Sequence, residues 1–179
     1  MISLVPYTNL TPTHHDALLN IRNLPEIVRY TPNQEKIALH EHLTWVQTLR
    51  TASHLLYLAV LDQDSVIGAV HAKGIDTSTP VWGIFFKPCV SPSITSATAV
   101  YFLEYLFARF SSSTIRAMIH PQNLSAQKFN ERLGFIADSD TNRSDFCLMS
   151  LKYDEWQKRK QSKLFAPLLK IASTLHLKD

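Results

Sequence analysis

Three groups of residues in this chain have side-chain types that suit chemistry, and two of them also have the spacing. The first is the stretch HPQNLSAQKFNERLGF, His120 to Phe135. An apolar run ends at Ile119. A His follows, then an Asn three residues ahead of a small Ala, a helical run and a closing Leu-Gly-Phe. Histidine changes charge near neutrality, so His120 is the preferred candidate for a general base, with His71 in reserve. The plain alternative for His120 is a loop residue ahead of Pro121. Asn130 carries an amide, which donates hydrogen bonds but is no general acid. The second set, Arg22, His42, Lys73 and Phe85, is one of residue types alone: its members are scattered along the chain and their spacing does not group them. Arg offers a planar fork that fits a phosphate or a carbonyl, and Lys offers a point charge. A His on an apolar helix face can bond the edge of a ring that an aromatic such as Phe85 stacks upon. The alternatives are a helix-end cation for Arg22 and a satisfied core histidine for His42. The third group lies in KPCVSPSITSATAV, where Ser91, Ser93, Thr95 and Ser96 place hydroxyls and backbone N–H groups at a helix start suited to an anion. An ordinary Ser/Thr-capped helix start explains the same residues.

The elements that must carry these groups can be read from periodicity. Ile2–Tyr7 reads as a strand. Thr13 caps a helix through Leu18 and Ile21, and Pro25 opens a short second one. A helix over Glu35–Arg50 puts Leu39, His42, Val46 and Leu49 on one face, with Trp45 assigned to the core. The turn Asp62-Gln63-Asp64-Ser65 joins two strands into a hairpin, and alternation groups Ile67, Ala69, His71 and Lys73 on one face. Trp82–Phe86 is a further strand. From Thr95, apolar residues at Ala99, Phe102, Leu103, Leu106, Phe107 and Phe110 form a helical stripe. Ile115–Ile119 is a strand, Asn123 caps the next helix, Gly134 closes it as the C′ residue, and Phe146–Leu151 is a last strand. The order β, α, α, β, β, β, α, β, α, β predicts a mixed α/β sheet with helices on both sides.

Composition narrows the function. With 179 residues and 45% apolar content, one compact domain is expected. The net charge of +3 is misleading. The segment from Gln157 carries six Lys or Arg against Asp179, so the rest of the chain is net negative and offers no basic face for nucleic acid. No run approaches a membrane span, and MISLVPYTNL has no signal-peptide pattern. Cys89 and Cys147 have no metal-ligand spacing and are too few for a disulfide framework. A cytoplasmic protein without a metal is expected. The segment 154–179 is set apart from 1–153 as a basic amphipathic tail. It reads either as an extra helix packed on the domain, the favoured reading, or as a membrane-surface or partner-binding helix.

The element order and the His120–Phe135 stretch resemble the GNAT superfamily of acyl-CoA N-acyltransferases. The resemblance implies a largely antiparallel, twisted mixed sheet with a splay between its central strands. It also implies acetyl-CoA as acyl donor, its pyrophosphate held at the helix start that carries Ser93, Thr95 and Ser96. The family places a Gly-rich loop there, whereas this loop has no Gly. Asn123 occupies the position that touches the pantetheine arm. Asn130 stands where many members carry a Tyr that protonates the departing thiolate, and could donate to the sulfur instead. A backbone N–H near Phe86, left open by the splay, would hold the oxyanion. A narrower likeness covers the chain to about Leu151. IRNLPEIVRY, ALHEHLTWVQTLR and Gly83-Ile84-Phe85 resemble the nucleotide-sugar N-acetyltransferases of the pseudaminic acid pathway, which acetylate the 4-amino group of a UDP-linked amino sugar for flagellin glycosylation. On that likeness Arg22, Asn23, His42, Lys73 and Phe85 match acceptor-side positions. An N-terminal or other amine acetyltransferase of the RimJ/RimL kind, and a non-catalytic GNAT domain that binds CoA or a partner, are the alternatives. A monomer or homodimer is expected.

Overall fold

In a computed structural model, residues 1–138 and 145–178 are described. Eight strands form one sheet in the order β6-β7-β5-β4-β3-β2-β1-β8. The chain runs β1 (Ile2–Pro6), α1 (Pro12–Arg22), α2 (Pro25–Val28), α3 (Leu39–Thr48), β2 (Leu55–Asp62), β3 (Ser65–Lys73) and β4 (Val81–Phe86). It continues α4 (Pro92–Arg109), β5 (Thr114–Ile119), α5 (Leu124–Leu133), β6 (Ile136–Ala137), β7 (Cys147–Lys152), α6 (Tyr153–Lys160), α7 (Ala166–Ala172) and β8 (His176–Leu177). Strands β1 to β4 pair antiparallel, and so do β5, β7 and β6. The two halves meet in a parallel pairing of β4 with β5. That pairing extends only over Val81–Arg116 and Trp82–Ala117, so Gly83–Phe86 and Met118–Ile119 part from each other. This is the expected splay, in the expected mixed sheet.

Each face of the sheet has its own core. On one, Leu4, Leu58, Val60, Val70 and Trp82 pack with the stripe of α4, including Phe102, Leu103 and Leu106. On the other, Val5, Ala59, Leu61 and Ala69 pack with Leu18 and Ile21 of α1 and Val46 of α3. Alternation along the strands produces both sets at once.

Local chemistry moves several predicted boundaries. The α1 cap is Thr11, whose hydroxyl accepts from His14 N–H at 3.3 Å, with Pro12 at the first helical position. Helix α3 starts at Leu39, four residues after the expected Glu35. The residues ahead of it are held out of the helix by Asn23, which accepts from Ile37 N–H at 2.9 Å and donates to Ile37 O at 2.8 Å. Helix α4 starts at Pro92, ahead of Thr95, with Ser91 as its cap. Strand β7 starts at Cys147, one residue after Phe146.

The face assignment in β3 also changes. Val60 pairs with Gly68 but Leu61 pairs with Val66, so Ile67 is an extra, bulged residue. Ile67 therefore packs in the α4-side core, opposite Ala69. Counted back from the turn without the bulge, Tyr57 would face Val70. The bulge advances the register by one and pairs Tyr57 with His71.

The last segment joins the same core. Trp156, Phe165, Ala172 and Leu175 are buried, and β8 lies parallel to β1. Lys160 pairs with Glu104 at 2.7 Å, Trp156 donates to the same carboxylate at 2.8 Å, and Arg159 donates to Arg132 O at 2.7 Å. Part of the basic cluster is thus committed to the domain. Pro167 sits in the first turn of α7, where it costs no helical hydrogen bond. Among the described residues no helix is long and apolar enough to cross a membrane.

Candidate active site

A cavity of about 580 Å³ runs through the splay from one face of the sheet to the other. Its α1/α3 end is lined by Tyr7, Arg22, His42, Trp45, Tyr57 and His71, with Lys73 and Phe85 along the strands. Its other end is lined by Met118, Ile119, His120, Asn123, Ala126, Phe129 and Asn130. Eight of the sequence-derived candidates therefore share one cavity: Arg22, His42, His71, Lys73, Phe85, His120, Asn123 and Asn130. Phe86, Ser93, Thr95 and Ser96 lie outside its lining.

Alternation in β4 explains the division. Val81, Gly83 and Phe85 pair with Lys73, His71 and Ala69 and turn to the α1/α3 face. Trp82, Ile84 and Phe86 turn to the α4/α5 face. Lys87 N–H donates to Ile67 O at 2.9 Å, so N–H groups of that parity face β3. The N–H groups of Ile84 and Phe86 then face the edge where β5 has moved away.

His71 lies flat on Tyr57, with ring centroids 5.0 Å apart and planes 8° from parallel. It fits only because residue 83 is glycine, since a Cβ there would lie 2.6 Å from His71 Nε2. Burial, aided by the Lys73 cation, pushes His71 down to about 4, so the imidazole is neutral at pH 7. Tyr57 is pushed up to about 12 by burial.

His42 is 5% exposed, and its Nε2 lies 3.0 Å from Nδ1 of His15, itself 6% exposed. Burial first, and His15 second, push His42 down to about 4. His15 is lowered too, again mainly by burial. The pair is therefore two neutral rings sharing one N–H. Arg22, at the last turn of α1, has a buried Nη1 with no hydrogen-bond partner among the described residues. Burial lowers its pKa, opposed by Tyr7. A guanidinium nitrogen so placed is a strong, unspent donor. Trp45, assigned to the core from sequence, is partly buried and lines the cavity, edge-on to Tyr57 at 4.8 Å.

At the other end, Asn123 caps α5 by accepting from Ala126 N–H at 3.1 Å. Gly134 closes the helix in the left-handed region, φ 105°. His120 Nδ1 accepts from Gln122 N–H at 3.2 Å, and its ring lies 5.7 Å from Tyr30 and 6.0 Å from Phe146. Asn130 is buried. Its Oδ1 accepts from Trp82 Nε1 at 3.2 Å and its Nδ2 donates to Ala126 O at 2.9 Å. One amide proton is left for a ligand.

The helix start after β4 differs in detail from the sequence expectation. The loop has no Gly, yet it does contain a left-handed residue, Cys89 at φ 67°. Ser91 Oγ accepts from Ser93 N–H at 3.3 Å, and Thr95 N–H already donates to Ser91 O at 3.1 Å. Thr95 and Ser96 thus lie inside the helix, Ser93 N–H is taken by the cap, and the open N–H of this helix start is that of Ile94.

Sequence reading missed Tyr7, His15, Tyr30, Trp45 and Tyr57 as parts of this region. For Tyr57 the signal was hidden by the bulge. For His15 it was present as a second His at helical spacing from the apolar Leu18 and Leu19.

The family described as "Acetyltransferase (GNAT) domain" matches residues 7–136. Acetyltransferase PseH of Campylobacter jejuni is 25% identical over 149 residues, covering 83% of this chain and 94% of that protein. The structure of C. jejuni N-acetyltransferase PseH in complex with acetyl coenzyme A superposes with a TM-score of 0.68 at 21% identity, covering 86% of this chain and 99% of that one. Spermidine N-acetyltransferase from Vibrio cholerae, in complex with CoA and spermine, gives a TM-score of 0.71 at 17% identity, covering 87% and 98%. The splayed sheet, the cavity through it and the family match agree: this chain belongs to the GNAT family and is an acyl-CoA N-acetyltransferase.

Proposed function

We propose that the protein transfers acetyl from acetyl-CoA to an amine on a nucleotide-linked sugar, the 4-amino group of a UDP-linked amino sugar. The observation that carries the acceptor is Arg22, whose buried Nη1 has no hydrogen-bond partner among the described residues and which lines a cavity end together with Lys73, neutral His42 and Phe85. Two cations suit a diphosphate, and flat aromatic walls beside neutral ring nitrogens suit a pyrimidine base. The resemblance of Arg22, His42 and Gly83-Ile84-Phe85 to the nucleotide-sugar N-acetyltransferases of the pseudaminic acid pathway favours the same acceptor class.

The thioester enters from the α4/α5 side, with the open N–H of Ile94 and the hydroxyls of the helix start serving the pyrophosphate and Asn123 near the pantetheine arm. The acceptor nitrogen, freed of its extra proton, attacks the thioester carbonyl. The carbonyl electrons move onto oxygen, which is held by a β4 N–H at the splay, near Phe86. Collapse re-forms the carbonyl and breaks the C–S bond, releasing CoA. His120, where the cavity crosses the splay, takes the amine proton on Nδ1, the ring's acceptor nitrogen, which gives up the hydrogen bond from Gln122 N–H to do so. His71, held neutral, can accept a hydrogen bond from the same amine. CoA departs as a thiolate, since a thiol pKa near ~8.5 makes it a tolerable leaving group, and the free Asn130 N–H donates to the sulfur. A cytoplasmic site of action suits both substrates.

Thermal-shift measurements with acetyl-CoA and with UDP, followed by thiol release across UDP-amino sugars, test this reading. Stabilisation by both ligands and turnover on a UDP-4-amino sugar are expected. Stabilisation by acetyl-CoA alone, with turnover on peptide or polyamine amines, overturns the acceptor assignment. His120→Ala is expected to lower kcat at least ~100-fold, the scale of general-base catalysis, and to shift the pH profile. An unchanged profile overturns the role of His120.

A further inference from the structure

His42 reaches the cavity with one ring nitrogen already taken. Its Nε2 lies 3.0 Å from Nδ1 of His15, on the neighbouring helix α1, and both rings are almost wholly buried. The rings meet edge to face, with centroids 5.1 Å apart and planes at 65°. This is the arrangement of an N–H aimed at a neighbour's lone pair, and not of stacked core rings. A neutral imidazole has one donor and one acceptor nitrogen, so bonding at Nε2 dictates what Nδ1 presents. If His15 donates, His42 Nδ1 carries the proton. If His42 donates, Nδ1 is a bare acceptor. The same contact also restrains the ring about χ2, between Tyr7 and Trp45, each 6.1 Å away.

We propose that His15 is a positioning residue of the acceptor site: by bonding Nε2 of His42 it sets the orientation of that ring and couples its tautomer to that of His15. This deepens the nucleotide-sugar reading and rests on it. His15 does not line the cavity and touches no reacting atom. Its effect passes through His42 alone. Since each partner can be donor or acceptor, the pair can adapt His42 Nδ1 to a carbonyl or to a ring N–H of the base. An isolated, freely rotating His42 would lose that preorganisation.

The test uses the full chain with His15→Phe, which keeps a ring and removes both nitrogens, and His15→Gln, which restores a group able to donate and to accept. His15→Leu replaces the Phe variant if that variant fails to fold. UDP affinity is measured by calorimetry, and KM and kcat are measured for acetyl-CoA and for a UDP-amino sugar. His15→Phe is expected to weaken UDP binding about tenfold, one hydrogen bond's worth of preorganisation, with the KM for acetyl-CoA unchanged. His15→Gln recovers most of the loss, and His15→Phe adds nothing in a His42→Ala background. Unchanged UDP affinity in His15→Phe, beside a wild type that binds UDP, overturns this inference and leaves the acceptor assignment standing. Equal losses for acetyl-CoA and acceptor overturn it as general damage. A wild type indifferent to UDP overturns both.

Discussion

Replacing Gly83 with Ala places a methyl group in space that His71 occupies. The added carbon would lie 2.6 Å from Nε2 and 3.2 Å from Nδ1, against van der Waals contact near ~3.5 Å. No left-handed backbone is involved at this residue, and an extended Ala is ordinarily preferred to Gly in a strand by roughly 0.5–1 kcal/mol. The substitution is therefore destabilising only through the imidazole. That ring cannot retreat easily, because Tyr57 lies parallel to its other face at 5.0 Å. Overpacking of this kind costs about 1–3 kcal/mol. In a chain of this length that lowers Tm by roughly 2–4 °C per kcal/mol, or about 2–12 °C in all. The decisive assay is a double-mutant cycle by thermal or denaturant unfolding. In a His71→Ala background the clash is gone, so Gly83→Ala should become neutral or stabilising, with a coupling energy above about 1 kcal/mol. The displaced ring also leaves the cavity wall, so the acceptor KM should rise in Gly83→Ala while that of acetyl-CoA holds. Equal destabilisation in both backgrounds would refute the reasoning, because the cost would then belong to the backbone.

Other expectations follow from the same contacts. Asn130→Ala strands the buried Trp82 N–H and should lower stability by about 1–3 kcal/mol in urea unfolding, while Asn130→Gln recovers part of it. Asn23→Ala releases both hydrogen bonds to Ile37, and with them the segment whose Thr31, Pro32 and Ile37 rim the cavity. A rise of several-fold in acceptor KM, with kcat nearly kept, is expected in steady-state kinetics. His42 and His71 have folded-state pKa values below the unfolded value, so the unfolded chain takes up protons first on acidification. Stability should be complete above about pH 6.5 and drain away towards pH 4, by about 1.4 kcal/mol for each pKa unit of separation. Chemical denaturation in His42→Leu and His71→Leu should show a flatter profile over that window. Glu104→Gln weakens the clasp on Lys160, and its effect should shrink in high salt.

Several features of the fold were legible because they are local. The stripe from Ala99 to Phe107 can only be the buried face of a helix, and it packs on the sheet as its period requires. Asn123 and Gly134 mark the ends of α5 through hydrogen bonding and backbone freedom, which act within one turn. Boundaries failed where two local signals competed. Thr13 and Thr11 both suit a cap, and Pro12 decides between them because its fixed φ and missing N–H suit the first helical position. Glu35 to Ala38 has helical propensity, but Asn23, distant in sequence, holds Ile37 in an extended bridge.

The candidate site shows the same division. A family resemblance carried by motifs in the sequence pointed to an acetyl-CoA enzyme and to a short roster of side chains: Arg22, His42, His71, Lys73, Phe85, His120, Asn123 and Asn130. Sequence alone could not say that they surround one cavity, because that depends on two long-range events. One is the parting of β4 from β5 after Trp82, which opens a passage through the sheet. The other is the bulge at Ile67, which shifts the hairpin register by one and stacks His71 on Tyr57. Alternation makes a strand's facing all or none, so one inserted residue decides which side every later side chain sees. Pairings across distance, such as His15 with His42 and Trp82 with Asn130, likewise belong to the packed molecule. A side chain's partner depends on where other elements lie, whereas its chemical capability is already present in the residue itself.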